Sequence, residues 1–313
     1  MTSPYLFVHI PKTAGSSFRK SLESEFEGKV FCDYGPTSEE TSALVMQNVY
    51  EVKDFYQLHK DLVKSNASFL AGHYPAHKYA RLFSVSRTIT FVRKPVERVI
   101  SEYKHFVRIH GYKGSLLEFA RSAGKINMHQ RFLKNLPWQA IGFIGVMDRY
   151  KASVQLLNHF FAFNLPILQR NVAPQGQTEN LKVTREDLQE ISKLNQADIE
   201  LYKKINDYLD TRIDCKKNKL PFIAGEFDLV QNGLRGWAFQ HFSDQAVELE
   251  FFENKVKIGE TLATQFNTVM RNLKSPRDGY VGFQFNPGDS VDTAQITCRV
   301  KSTGQEIFNL SAR

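Results

Sequence analysis

Short apolar runs and stretches of helical periodicity alternate along the first two thirds of the chain. Residues 5–10 are apolar almost throughout and predict a short buried strand, after which Phe18, Leu22 and Phe26 recur at helical spacing. Further short runs predict four more strands, at residues 29–32, 68–73, 87–93 and 141–146. Strands that alternate with helices in this way predict an open α/β sheet.

Helical periodicity fills the segments between these strands. Pro95 suits the first turn of a helix, and Asp148 is a candidate cap for another. Thr184 and Asp187 form a candidate capping box before a long amphipathic helix. The predicted helices cover residues 39–49, 52–63, 95–107, 148–163 and 188–209, with a turn-rich loop at 170–180.

The pattern changes after a lysine-rich stretch at residues 215–221. Beyond it, seven short runs are separated by Gly, Asn, Asp and Pro, with little helical pattern between them. They lie at residues 222–229, 233–239, 246–252, 256–262, 280–285, 294–300 and 306–310. We expect a C-terminal antiparallel β-sandwich and two domains, residues 1–220 and 221–313.

The composition is that of a soluble globular protein. The 313 residues are 42% hydrophobic and 24% charged, and no run approaches the roughly 18 apolar residues of a membrane span. No secretion signal is evident at the N-terminus, so we expect a cytoplasmic protein.

Charge and cysteine content narrow the chemistry only a little. Cys32, Cys215 and Cys298 are far apart and lack metal-ligand spacing, which predicts reduced structural thiols with neither a disulfide nor a metal site. The formal net charge of +8 indicates an anionic partner, which leaves nucleic acid, acidic lipid and anionic small molecules open.

The first candidate site is the loop between the first strand and the first helix. It carries Lys12, Gly15 and three hydroxyls, those of Thr13, Ser16 and Ser17. A helix start presents unpaired N–H groups, so this loop suits a phosphate or a sulfate. Its order is not that of a Walker A motif, and taken alone an ordinary solvated helix cap explains it as well.

The second candidate site follows the predicted strand at residues 87–93. Arg93 ends that strand, and Ser101 lies about two turns into the next helix. A guanidinium fork with a nearby hydroxyl can hold an oxyanion. Because ligands of open α/β sheets collect beyond the carboxyl ends of the strands, we expect Lys12, His73 and Arg93 to converge.

The two sites together resemble those of the sulfotransferases that use 3′-phosphoadenosine 5′-phosphosulfate (PAPS). Residues 11–18 resemble the 5′-phosphosulfate loop of that family, and residues 93–103 resemble its 3′-phosphate motif. Residues 71–74 are similar to the catalytic-histidine segment of the carbohydrate branch, especially the uronyl and heparan 2-O-sulfotransferases. Residues 127–133 and 198–202 also resemble that branch.

The resemblance covers about residues 1–215 and implies a P-loop-like α/β fold, with a parallel sheet flanked by helices. Animal members usually carry an N-terminal membrane helix, which is not found here. We therefore expect a bacterial-type soluble member, with a carbohydrate or glycolipid acceptor that is either neutral or anionic, and no nucleic acid.

The same resemblance implies roles for particular residues. His73 is the expected general base, and Lys12 is expected to stabilise charge on the leaving oxygen. The donor is then PAPS, the product is adenosine 3′,5′-bisphosphate, and no metal is required. The remaining donor-binding residues divide between the 5′-phosphate (Thr13, Gly15, Ser16 and Ser17) and the 3′-phosphate (Arg93 and Ser101).

Several residues keep two interpretations. His9 is expected to be structural, while His77, His129 and Arg131 are reserve candidates for acceptor contact. Arg98 is either a phosphate ligand or a helix-surface arginine paired with Glu102. The tail aromatics are core residues or sugar-stacking residues, namely Trp237, Phe239, Phe251, Phe252 and Tyr280.

The leading hypothesis is therefore a sulfotransferase that acts on a carbohydrate hydroxyl by in-line displacement. One alternative is a nucleotide-dependent kinase with an unusual P-loop, which predicts magnesium-dependent ATP binding. Another is a non-catalytic protein that binds anionic glycans or nucleic acid through charge alone, which predicts steep salt dependence.

Overall fold

A computed structural model describes residues 3–168, 182–231, 233–288 and 295–311. The turn-rich loop predicted at residues 170–180 lies outside these residues. The α-helices are α1 (Gly15–Glu25), α2 (Ala43–Val45), α3 (Phe55–Lys64), α4 (Ala80–Phe83), α5 (Pro95–His110), α6 (Leu116–Arg121), α7 (Met128–Leu133), α8 (Tyr150–Phe161), α9 (Arg185–Leu194), α10 (Gln196–Lys217) and α11 (Thr268–Asn272).

The strands follow the predicted runs closely. They are β1 (Tyr5–Val8), β2 (Val30–Asp33), β3 (Phe69–Gly72), β4 (Thr88–Val92), β5 (Phe143–Val146), β6 (Ile223–Val230), β7 (Gly233–Gln240), β8 (Val247–Glu253), β9 (Val256–Ala263), β10 (Gln265–Phe266), β11 (Tyr280–Phe285), β12 (Ile296–Val300) and β13 (Phe308–Asn309).

The described chain divides into two compact units. The first unit comprises Met1–Lys78, Thr88–Asn135 and Phe143–Leu209, and the second comprises Tyr79–Arg87, Leu136–Gly142 and Asp210–Arg313. The domain boundary near residue 220 stays a prediction.

The first unit is built on a five-stranded parallel sheet in the order β2-β3-β1-β4-β5. Every residue of β3, β4 and β5 is buried, as expected for a parallel sheet covered by helices on both faces. The predicted α/β architecture with a parallel sheet is therefore confirmed. Since β3 and β4 flank β1 in this sheet, the residues that follow these three strands lie at one edge.

Two predicted helices differ from those in the structure. The expected helix at residues 39–49 is largely a π-helix, Met46–Glu51, preceded by the single turn of α2. The expected helix at residues 188–209 is divided into α9 and α10 at Asn195. The capping box of Thr184 and Asp187 is confirmed at the start of α9.

The predicted role of Asp148 as a helix cap is wrong. Helix α8 has Arg149 at its N-cap and no side-chain cap there. The Asp148 carboxylate instead accepts hydrogen bonds from the hydroxyl of Tyr202 at 2.8 Å and the backbone N–H of Lys94 at 3.4 Å. Its side chain therefore connects the residues before α8 to α10 and to the start of α5.

The second unit contains two β-sheets. One has the order β10-β11-β7-β6-β13 and the other the order β12-β8-β9. Their pairs are antiparallel except β6 with β13, which is parallel. Apolar residues of both sheets form one core, exemplified by Phe227, Leu249 and Phe283. The β-sandwich assignment of this region stays a prediction.

The tail aromatics separate by burial. Trp237, Phe239 and Phe251 are buried, whereas Tyr280 is 51% exposed and Phe252 is partly buried. Three of the five therefore belong to the interior.

The three cysteines are buried and unpaired within the described residues, and burial raises the pKa of the Cys32 thiol to about 11. No helix in the described part of the chain combines the length and apolarity that crossing a membrane requires.

Candidate functional site

A tight loop joins β1 to α1 at the carboxyl edge of the parallel sheet. Lys12 and Ala14 adopt left-handed backbone conformations there, with φ of 67° and 71°. Such conformations of non-glycine residues cost about 1–3 kcal/mol each and persist only where the surroundings hold them. The buried hydroxyl of Thr13 provides part of that support, because it donates a 2.8 Å hydrogen bond to the carbonyl oxygen of Ile10.

Helix α1 begins at Gly15 without a side-chain cap, since the N-cap residue is Ala14. The start of a helix carries a partial positive charge and suits an anion. Ser16 is exposed at this start, whereas Ser17 is buried. The loop and the helix start therefore have a geometry that suits an oxyanion.

Gly15 is required by a close approach of His9. A Cβ atom at position 15 would lie 1.8 Å from Cδ2 and 1.9 Å from Nε2 of the His9 ring. The other ring nitrogen of His9, Nδ1, lies 3.0 Å from the hydroxyl of Tyr34. Burial, and then the charge of His73, lower the pKa of His9 well below its ordinary value. His9 is thus a neutral internal residue that packs against the helix start.

His73 follows the last residue of β3 and is oriented by the neighbouring strand. Its Nδ1 atom donates a 2.6 Å hydrogen bond to the carbonyl oxygen of His9. A carbonyl can only accept, so the proton lies on Nδ1 and Nε2 keeps its lone pair. The ring also lies against those of His9 and Tyr34, at centroid distances of 4.2 and 4.8 Å.

His73 is exposed as a residue, yet its packing removes water from much of the imidazole. This desolvation lowers the pKa of His73, and it outweighs the hydrogen bond to His9, which raises it. A neutral imidazole with a free Nε2 near neutral pH can accept a proton.

Arg93 follows β4 and reaches the same edge. Its Nη1 atom lies 3.4 Å from the carbonyl oxygen of Lys12, and Glu97 lies 3.7 Å from Nη2. The buried Nε atom of Arg93 has no hydrogen-bond partner among the described residues. A guanidinium with an unused donor beside the Lys12 loop is suited to an oxyanion.

Lys12 forms no ion pair within the described residues. Burial, followed by the charges of Arg108 and Arg93, lowers the pKa of its ammonium, which Glu102 only partly opposes. Three cations, Lys12, Arg93 and Arg108, that Glu97 and Glu102 offset only in part favour an anionic ligand.

One face of α5 points toward this cluster. Ser101, His105 and Arg108 follow one another at helical spacing on α5. Lys12 and Arg108 both lower the pKa of His105, although burial is the larger cause. Ser101 is half-buried and lies one turn before His105 on α5.

Arg98 belongs to the interior and not to the helix surface. It is 0% exposed and donates to the Glu102 carboxylate at 2.6 Å and to the carbonyl oxygen of Lys125 at 2.9 Å. Lys125 Nζ donates to the other Glu102 oxygen at 2.7 Å. The predicted pairing with Glu102 is present, but it is a buried structural network.

The reserve residues for acceptor contact lie in different environments. His129 is 0% exposed and lies between Asp198 and the backbone of Arg93, so it faces no solvent. His77 and Arg131 are exposed, and each donates to a backbone carbonyl, of Lys134 and Ala123 respectively.

Two residues near the site had no role predicted from the sequence. Tyr34 contacts both His9 and His73, and it follows β2 much as His73 follows β3. That position at the end of a strand is the signal that could have found it. Asp198, which contacts His129, lies about 70 residues further along, in the stretch 198–202 that resembles the carbohydrate branch, but that resemblance does not indicate a contact with His129.

No group of three or more His, Cys, Asp or Glu side chains suited to a metal occurs in the described residues. The site instead combines a constrained loop, a lysine, an arginine and an imidazole at one edge of a parallel sheet. These features of an α/β protein are suited to an oxyanion-bearing ligand.

Residues 2–139 match the family model described as "Sulfotransferase family". This stretch contains the Lys12 loop, His73, Arg93 and Ser101. Over this stretch, the chain is similar to the sulfotransferase family. No significant match is found among curated proteins.

Two solved structures are similar to the chain at low identity. A sulfotransferase from Alicyclobacillus acidocaldarius is 14% identical, with a TM-score of 0.38, and the match covers 66% of this chain and 97% of that one. Mouse sulfotransferase SULT7A1 complexed with PAP is 10% identical, with a TM-score of 0.35, and the match covers 52% of this chain and 60% of that one.

Proposed function

We propose that this protein transfers the sulfuryl group of PAPS to a hydroxyl of a carbohydrate or glycosylated acceptor. The observation that carries the proposal is the orientation of His73 at the carboxyl edge of the sheet, where its Nδ1 is bonded to the carbonyl oxygen of His9 and its Nε2 keeps the lone pair of a base. The match of residues 2–139 to the sulfotransferase family model supports the reaction class.

The residues of the site fit the two ends of this donor. The uncapped start of α1, with Gly15, Ser16 and Ser17, suits the 5′-phosphate. Arg93 has a buried Nε donor that is unused among the described residues and, with Ser101, suits the 3′-phosphate. Thr13 supports the loop through its bond to Ile10.

When bound, PAPS supplies a sulfuryl group whose bond to the 5′-phosphate oxygen breaks as a bond to the acceptor oxygen forms in line, which releases adenosine 3′,5′-bisphosphate. In this scheme His73 Nε2 takes the proton of the acceptor hydroxyl, a contribution of about 10² to 10⁴ in rate. Lys12 stabilises the charge that develops on the leaving oxygen.

The acceptor class rests on the likeness of residues 71–74 to the uronyl and heparan 2-O-sulfotransferase branch. A basic rim would favour an anionic saccharide or glycolipid, and Arg131 is exposed where it could contribute. We further propose a β-sandwich accessory role for residues 221–313 and a cytoplasmic location.

Calorimetry with adenosine 3′,5′-bisphosphate and adenosine 5′-monophosphate tests the donor. The proposal predicts metal-independent binding that is tighter for the bisphosphate by at least about ten-fold, since a bidentate charged contact contributes about 1.5–3 kcal/mol. Equal affinities would overturn it. Magnesium-dependent ATP binding would favour a kinase, and steep salt dependence without discrimination would favour a charge-only binder.

The acceptor is tested by turnover with PAPS over a panel of uronic-acid and neutral saccharides. Transfer to at least one saccharide hydroxyl is expected. Transfer only to phenols or amines would overturn the carbohydrate assignment while it leaves the sulfotransferase assignment intact.

A further inference from the structure

A buried polar cluster joins the start of α7 to the junction of α9 and α10. Its members, Asn127, His129, Asn195 and Asp198, are all in the first unit. The backbone N–H of Asn127 donates to Asn195 Oδ1 at 3.0 Å, and the backbone N–H of Asp198 donates to Asn127 Oδ1 at 3.1 Å. His129, Asn195 and Asp198 are 0% exposed. The two amides thus hold the chain segments together reciprocally.

Asp198 caps a helix to which it does not belong. Its carboxylate accepts the backbone N–H groups of His129 at 2.8 Å and Gln130 at 2.9 Å, which are in the first turn of α7. The local N-cap residue, Asn127, has a left-handed φ of 47° and makes no side-chain cap. Burial raises the pKa of Asp198, but its bonds to His129 and Gln130 outweigh burial and lower it. An ionised Asp198 therefore anchors α7.

The His129 ring extends this anchor to Arg93. His129 Nδ1 lies 3.2 Å from Asp198 Oδ2, and His129 Nε2 lies 3.5 Å from the backbone nitrogen of Arg93. His129 Nδ1 is close to the carboxylate but makes no hydrogen bond within the described residues. The backbone N–H of Arg93 needs an acceptor, so the contact with Nε2 requires a lone pair there, which in a neutral imidazole places the proton on Nδ1, toward Asp198.

Arg93 then connects these contacts to the candidate site. Its backbone N–H faces His129, while its guanidinium reaches the carbonyl oxygen of Lys12 at 3.4 Å. A long side chain at the end of a strand has many rotamers, and a fixed backbone narrows the directions that it can take.

We propose that His129, oriented by Asp198, is a positioning residue that fixes the backbone of Arg93 and thereby aims its guanidinium at the 3′-phosphate of the donor. This inference rests on the proposed function. It assigns to His129 a role that does not involve contact with the acceptor.

Two substitutions of His129 separate this role from simple packing. In His129→Asn, the side-chain amide of the asparagine lies near the place of the histidine Nδ1. This variant therefore keeps the contact with Asp198 and loses the contact with the backbone of Arg93. The amide of His129→Gln reaches the position of Nε2 and restores an acceptor for the Arg93 N–H. Asn158→Ala is the matched control, because Asn158 makes a reciprocal pair of hydrogen bonds with Leu165 elsewhere in the same unit.

Calorimetry measures the affinity ratio for adenosine 3′,5′-bisphosphate over adenosine 5′-monophosphate, with melting temperature recorded in parallel. The ratio should fall about ten-fold in His129→Asn and recover to within about three-fold of wild type in His129→Gln. Asn158→Ala should melt earlier with an unchanged ratio. An affinity ratio equal to that of wild type in His129→Asn would overturn this inference but not the proposed function. A fall of the ratio in Asn158→Ala as large as that in His129→Asn would do the same. Absence of discrimination in the wild type would overturn the proposed function and this inference with it.

A second measurement does not depend on the folding of a variant. Long-range ¹H–¹⁵N spectra of the wild-type chain with labelled histidine distinguish the two tautomers of His129. The inference requires the tautomer protonated on Nδ1. A proton on Nε2 would place two donors face to face and would contradict the contact with Arg93.

Discussion

The imidazole Nδ1 of His73 lies 2.6 Å from the carbonyl oxygen of His9. The register of the sheet explains this distance, because Val8 and Gly72 are paired across β1 and β3 and the two histidines follow them directly. The backbone N–H of His9 also donates to the carbonyl oxygen of Gly72 at 2.9 Å. The strand pairing that stabilises the sheet therefore also selects the tautomer of His73.

Replacement of His73 by alanine should abolish turnover but leave nucleotide binding intact. With Nε2 absent, we expect sulfuryl transfer to fall by about 10² to 10⁴, while the affinity for adenosine 3′,5′-bisphosphate stays within about two-fold. Steady-state assays and calorimetry on the same preparation measure both. His159→Ala, an exposed histidine of α8, is the matched control. Turnover close to wild type in His73→Ala would reassign the base.

The acid limb of the pH profile should lie below pH 6.5. The base acts only when Nε2 is unprotonated, and desolvation lowers the pKa of His73 from its ordinary value of 6.5. Activity should therefore be constant as the pH falls to about 6.5 and decline only at lower pH. The dependence of kcat/KM on pH measures this, and an acid inflection above 6.5 would contradict the assignment.

The contact between Gly15 and His9 predicts a matched pair of glycine variants. In Gly15→Ala the new Cβ meets the His9 ring at 1.8 Å, and such overpacking typically destabilises by about 1–3 kcal/mol. Gly124→Ala, where no atom lies within 4 Å of the new Cβ, should leave the free energy of unfolding nearly unchanged. Urea denaturation followed by far-ultraviolet circular dichroism compares them. If the double variant Gly15→Ala/His9→Ala regains part of the free energy of unfolding that Gly15→Ala loses, the strain lies at this contact. If the losses of the two single variants simply add, the strain lies elsewhere.

The sequence predicts those parts of the fold that depend on local pattern. The strands of the parallel sheet and the capping box at Thr184 follow from apolar runs and from residue types at fixed spacing. The break between α9 and α10 could not be predicted, because the apolar period continues through it. The bonds of Asn195 to Asn127 and Ile191 hold that junction, and the bond to Asn127 is with a residue 68 positions away.

The same distinction applies to the candidate site. Lys12, His73 and Arg93 each end or follow an apolar run, so their meeting at one edge could be expected from strand order alone. The burial of His129 and Arg98 could not, because it depends on which helix faces pack together. A histidine or an arginine in an amphipathic stretch gives the same sequence pattern whether its side chain faces solvent or the interior.

The two arginines near the start of α5 should have separable effects. Arg98→Ala leaves a buried Glu102 with Lys125 alone and should destabilise the protein by about 3 kcal/mol. Arg93→Ala should change the free energy of unfolding by less than about 1 kcal/mol, because its ion pair with Glu97 is long and partly exposed. It should nevertheless remove the preference for the 3′-phosphate. Denaturation and calorimetry test both variants, and a reversed pattern would contradict these roles.

Glu226 should make the second unit less stable as the pH rises. Burial raises the pKa of its carboxyl to about 7, against the opposing effect of the Trp237 indole N–H, which donates to it at 3.0 Å. Between its ordinary value of 4.5 and about 7, the folded state therefore binds more protons than the unfolded state, so stability falls as the pH passes upward through this window.

Glu226→Gln keeps an acceptor for the indole and removes the titration. We expect it to exceed wild type in free energy of unfolding by about 1–2 kcal/mol at pH 8 and to match it near pH 4.5, allowing for partial solvent screening. Both tryptophans, Trp138 and Trp237, lie in the second unit, so tryptophan fluorescence during urea denaturation reports on that unit. Asp244→Asn, at an exposed position, is the control. An equal gain at both pH values would mean that Gln packs better than Glu and that the carboxyl does not titrate in this window.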